Sequence, residues 1–142
     1  MIELKLRDDW RARLRDITYA TRNEPFVWGQ HDCLSFVRFA VLAMTDTDVT
    51  KGQFKPYKTP AGAYKQMTAK GFKSLGDAVA SVLPEREHVS QAKIGDIVSI
   101  PDSSELKHAL GIVIGERIMV LRNDGIGTVD LLEADRAFKV GP

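Results

Sequence analysis

The stretch His108-Ala-Leu-Gly-Ile-Val-Ile-Gly115-Glu116-Arg117-Ile-Met-Val-Leu121 decides the layout of this chain. Two apolar, β-branched runs flank a Gly-Glu pair, the composition of two strands closed by a two-residue turn. With Gly115 and Glu116 at the turn, paired positions sum to 231, so His108 falls opposite Asn123. A slip of one residue would put Arg122 or Asp124 there and reverse the faces. Outward from this hairpin, Ile97–Ile100 and Gly127–Leu132 are further short runs of the same kind, and Asp124-Gly125 marks another turn. The second half of the chain is therefore predicted to be an antiparallel sheet.

The first half has a different period. Trp10, Leu14 and Ile17 recur at helical spacing behind Asp8 and Asp9, either of which can cap a helix over about 9–20. Phe36, Val37, Ala40, Val41 and Met44 form one stripe of a helix that opens at Cys33, the best amphipathic pattern in the sequence. Thr59-Pro60 offers a cap followed by proline at the first helical position, and Gly71 a left-handed stop, giving a helix over 60–70. Ser74 caps a further short helix ended by Pro84. Helices followed by a sheet make an α+β layout. With 142 residues, 44% hydrophobic and 27% charged, the chain reads as one globular domain over 1–142.

Charge narrows the function classes. The net charge of +1 lacks the overall footprint of a nucleic-acid binder, and no apolar run reaches the length of a membrane span. The lysines of 51–73, interleaved with Phe54, Tyr57, Tyr64 and Phe72, read as a solvated amphipathic helix with core aromatics. The first residues carry charges at close intervals, so no secretory leader is expected. Carboxylate pairs such as Asp8/Asp9 and Asp130/Glu133 lack metal-ligand spacing with histidine. The glycines at 111, 115, 125 and 127 make no phosphate-binding fingerprint, and neither metal nor cofactor is expected.

The single cysteine, Cys33, precludes an intramolecular disulfide and opens the strongest helix. Free amides and the dipole there favour a thiolate, which makes Cys33 a candidate nucleophile; the competing role is a small buried apolar residue on the Phe36–Val37 stripe. A nucleophilic thiol needs a base held by a third polar group. His31 and His88 read as solvated loop residues, whereas His108 opens a central strand. Asn123, through the hairpin register, is the candidate orienter, with Asp124 second; ordinary turn chemistry in Asn-Asp-Gly competes for Asn123.

Three blocks, Phe26-Val-Trp-Gly-Gln-His-Asp-Cys33, Ile94-Gly-Asp-Ile-Val-Ser-Ile100 and His108-Ala-Leu-Gly-Ile-Val-Ile-Gly115, resemble the NlpC-type papain-like cysteine peptidases. Tyr57-Lys-Thr-Pro-Ala-Gly-Ala63 and Ala137-Phe-Lys-Val-Gly141 resemble a compact branch of that family from phage and prophage tail-gene clusters. The resemblance spans nearly the whole chain. It implies a papain-like fold, Cys33 as nucleophile, His108 as base and peptidoglycan stem peptides as substrate. It also implies a place in the virion tail, beside hub or tail-tip proteins. Two departures stand out. Leu34-Ser35-Phe36 replaces the Ser-Gly pair usual after the cysteine, and the third polar residue, often histidine, falls among Val120, Leu121 and Arg122. Asn123 replaces it, or the site is a dyad, or the chain is a structural tail component on the same scaffold. Another acyl-transfer enzyme, an amidase or transpeptidase, is the remaining alternative.

Overall fold

The computed structural model describes residues 2–51 and 54–142. Four α-helices come first: α1 (Trp10–Thr21), α2 (Cys33–Thr45), α3 (Pro60–Ala69) and α4 (Leu75–Ala80). Five strands follow: β1 (Ile97–Pro101), β2 (His108–Val113), β3 (Arg117–Arg122), β4 (Gly125–Asp130) and β5 (Arg136–Phe138). The sheet order is β4-β3-β2-β1-β5, with every neighbouring pair antiparallel. This is the expected α+β layout.

The helices begin where short polar side chains can satisfy free amides. Asp32, Thr59 and Ser74 accept from Ser35, Gly62 and Asp77 N–H respectively, capping α2, α3 and α4. α1 is the exception. Asp9 stands at its N-cap position without a capping hydrogen bond, because its carboxylate is taken by Arg13 one turn on, at 2.8 Å.

One face of the sheet packs on the helices. Phe138, Met44, Met67, Leu83, Ile97, Leu110 and Ile112 are fully buried between the two layers. A smaller cluster of Val98, Val113, Ile118 and Ala137 lies on the opposite face. α2 crosses β2 and β3, whereas α4 packs on β2, β1 and β5. Strand β2 thus lies under both helices, and its helix-facing residues are divided between two environments. The β2–β3 hairpin keeps the expected sum of 231, in Gly111–Val120, Ile112–Met119 and Val113–Ile118. Pairing stops at Gly111, however, and the two strands separate before His108 reaches Asn123.

β5 was not visible as a strand in the sequence. It is three residues long, and its pairing with β1 joins positions about 40 apart, so no local pattern marks it.

Candidate functional site

Cys33 is the first residue of α2 and is buried. Burial pushes its thiol up from the usual 9.0 to about 12, and the nearby carboxylates Asp32 and Asp102 add to the rise; the backbone N–H groups of Leu110 and Leu34 act in the opposite sense. The Leu110 N–H is free for this because β3 no longer pairs with β2 at that point. Desolvation wins, and the resting thiol is neutral at pH 7.

Next to Cys33 lies Asp32, with 0% exposure. Its carboxylate accepts three hydrogen bonds: from Gly29 N–H at 3.0 Å, Ser35 N–H at 2.9 Å and the Tyr57 hydroxyl at 2.6 Å. Burial, followed by the bond to Asp32 and its charge, pushes the Tyr57 phenol far above its usual value, so Tyr57 is a fixed donor. Gly29 has φ +81°, and a β-carbon there would collide with the Tyr57 carbonyl. The loop, the helix start and the segment before α3 are thereby locked together through one carboxylate. Tyr57 lies 25 residues from Asp32, and nothing in the local sequence announces the pair.

His108 is also buried, on the helix-facing side of β2, and is oriented by other groups. Its Nδ1 accepts from Gly76 N–H at 3.1 Å, and its Nε2 lies 2.9 Å from Asp135 Oδ2. Accepting at Nδ1 assigns the proton to Nε2, which donates to Asp135. Asp135 also accepts from the Ser99 hydroxyl at 2.7 Å. Burial acts to raise Asp135, but its hydrogen bonds from the Ser99 hydroxyl and from His108 outweigh this and leave its carboxyl below the usual range. Next to it, Arg136 makes a 2.7 Å ion pair with Asp77 and a two-pronged contact with Glu85. A β-carbon on Gly76 would come within 2.9 Å of Nδ1, so α4 approaches the imidazole closely because that residue is glycine.

Among the described residues, no hydrogen bond joins Cys33 to His108. The cysteine sits with α2 over the β2–β3 side, whereas the imidazole reaches across β1 to the residue preceding β5. Asn123 meets neither. It lies in the β3–β4 turn, where its carbonyl accepts from Phe26 N–H at 3.2 Å. Asp124 occupies the same turn. The 108–123 pairing does not form because the strands part, and the orienting carboxylate of His108 is Asp135. Only the long-range docking of β5 beside β1 brings Asp135 there.

The remaining histidines differ from each other. His88 is exposed and caps a short 3-10 helix at Val89–Gln91, as a loop residue would. His31 was expected in solvent but is buried, folded inward by a bridge with Val27; its Nδ1 lies 3.5 Å from Glu24. Among the described residues, no three His, Cys, Asp or Glu side chains converge to hold a metal, and no helix is long and apolar enough to cross a membrane.

The chain superimposes on the crystal structure of the NlpC/p60 domain of the peptidoglycan hydrolase SagA with a TM-score of 0.57 at 20% identity, covering 90% of this chain and 97% of that one. Within that fold, residues 5–140 match the sequence family described as Domain of unknown function (DUF6950), and the chain belongs to it. No curated protein sequence matches it.

Proposed function

We propose that this protein is a docking module of a phage tail, built on the NlpC/p60 scaffold and not hydrolytic in the state described. The observation that supports this is the separate engagement of the two groups a thiol peptidase requires. Cys33 is buried as a neutral thiol, and His108 offers no free lone pair, since Nδ1 is taken by Gly76 and Nε2 carries the proton given to Asp135. A base must reach the proton it removes. The tail assignment rests on the resemblance of Tyr57–Ala63 and Ala137–Gly141 to the tail-cluster branch, and the partners on this reading are hub or tail-tip proteins.

A second reading is favoured by one feature: Cys33 sits at the first position of α2, with the Leu34 and Leu110 N–H groups facing its sulfur. On this reading the protein is a peptidoglycan endopeptidase that becomes active when His108 leaves Gly76 and Asp135. The Cys33 thiol would pass its proton to His108 and attack a stem-peptide carbonyl. The imidazolium would then protonate the departing amine, and water would hydrolyse the thioester, restoring the thiol. Asn123 has no part in this sequence unless the β3–β4 turn also moves.

Digestion of purified peptidoglycan separates the two readings. The docking module releases no stem-peptide fragments beyond those released by its Cys33→Ala variant. Fragment release that Cys33→Ala abolishes establishes the peptidase and removes the first reading.

A further inference from the structure

Residues 49–76 contain six lysines, at 51, 55, 58, 65, 70 and 73, and no Asp or Glu. The other 114 residues hold 14 Lys and Arg against 19 Asp and Glu, so a chain of net charge +1 divides into a strongly basic segment and an acidic remainder. All six lysines are exposed, and among the described residues none is ion-paired: every ion pair in the structure uses arginine or histidine. Unpaired, same-sign cations repel one another, and their concentration in one segment calls for an anionic partner.

The first part of this segment lines a groove. The groove, of about 360 Å³, runs from the start of α2 to the segment before α3, with Leu34 and Phe54 as apolar lining and Arg38, Lys51 and Lys55 as its cations. Lys55 is held in place by Gln66 of α3, whose side-chain amide accepts from Lys55 N–H and donates to Lys55 C=O, each at 2.8 Å. The Lys70 ammonium lies 5.9 Å from the Phe54 ring centre, adding a further cation beside the lining. The one carboxylate of the groove, Asp48, is already matched by Arg38 at 2.9 Å.

We infer that this groove is the docking site for an acidic, extended peptide segment of a partner protein, with carboxylates at Lys51 and Lys55 and an apolar side chain against Leu34 and Phe54. A nucleic acid fits less well, because a polyanion longer than the groove would run onto the remainder of the chain, where Asp and Glu outnumber Lys and Arg by 19 to 14. The inference names the partner of the docking reading and rests on it, but its test is binding and does not depend on whether Cys33 reacts.

The test is fluorescence anisotropy of the full chain with a fluorescein-labelled peptide of alternating Glu and Leu, roughly ten residues long to match an extended strand across the groove. A Gln-Leu peptide and an oligothymidylate serve as comparisons. Saturable binding is expected, weakened at least about tenfold by Lys51→Glu/Lys55→Glu and by raising the salt from about 50 to about 300 mM. The equally charged control Lys5→Glu/Arg15→Glu, at positions that do not line the groove, changes Kd less than about twofold. Circular dichroism and the thermal midpoint establish that both variants fold. Absence of saturable binding, equal weakening by both variants, or tighter binding of oligothymidylate or the Gln-Leu peptide overturns the inference. If stem-peptide release dependent on Cys33 is found while the Glu-Leu peptide still binds at the lysines, the docking reading fails and the groove assignment survives.

Discussion

The surroundings of Cys33 and of His108 are built on the same face of one strand, yet by opposite means. At Cys33 the thiol is solvated by little, and the organising group is its neighbour Asp32, whose buried carboxylate collects two backbone amides and the Tyr57 hydroxyl. At His108 the titratable group is itself the hub, joined to α4 through Gly76 and to the sheet edge through Asp135. The difference teaches that order along a chain does not fix how two side chains are engaged. Cys33 opens α2, whereas α4 holds His108 through Gly76, and among the described residues no hydrogen bond joins the two.

Breaking the first region has the largest expected effect. Asp32→Ala removes the α2 cap and leaves Gly29 N–H and the Tyr57 hydroxyl without an acceptor, a loss of about 3 kcal/mol of stability in urea unfolding. Tyr57→Phe removes one charge-assisted bond to the same carboxylate and is expected to cost about 2 kcal/mol by the same measurement. A loss from Tyr57→Phe as large as that from Asp32→Ala would shift the organising role from the carboxylate to the phenol.

The second region is more open, since the Asp135 side chain is 41% exposed. His108→Ala leaves Asp135 to water but takes the acceptor from Gly76 N–H, and is expected to cost about 1.5 kcal/mol. The smallest effect is on acid stability. Bonds from Arg136 hold Asp77 below the usual carboxylate range, and Asp135 is also lowered, its hydrogen bonds outweighing burial. Both contributions are complete above about pH 4, the unfolded value, and fade as pH falls through the lower folded values. His108→Ala should flatten that acid limb, read as the thermal midpoint between about pH 5 and about pH 2. An unchanged limb would place the acid sensitivity elsewhere.

Much of this architecture is legible along the chain because its signals are local. Thr59-Pro60, Ser74 and the Cys33–Met44 stripe mark helices, and Gly115-Glu116 fixes the hairpin register. The expectation failed where the register was carried past the last real pair. Beyond Gly111 β2 and β3 no longer pair, so arithmetic that holds for residue 111 says nothing about residue 108. Asp135 and Tyr57 escaped notice because each reaches its partner over more than 20 residues, across a strand of three residues in one case and a loop in the other. The Trp28-Gly29-Gln30-His31-Asp32-Cys33 block pointed to the right helix start, but the buried carboxylate there proved to be a structural hub.

The central claim is that Cys33 and His108 act as separate residues, and the thiol itself reports on it. Cys33 is the only sulfhydryl, so its alkylation rate against pH is read from one atom. The account predicts slow alkylation at pH 7, a rate still climbing past about pH 9 where an ordinary thiol levels off, and an unchanged profile in His108→Ala. Rapid alkylation at neutral pH that moves to the alkaline range on loss of His108 would contradict it.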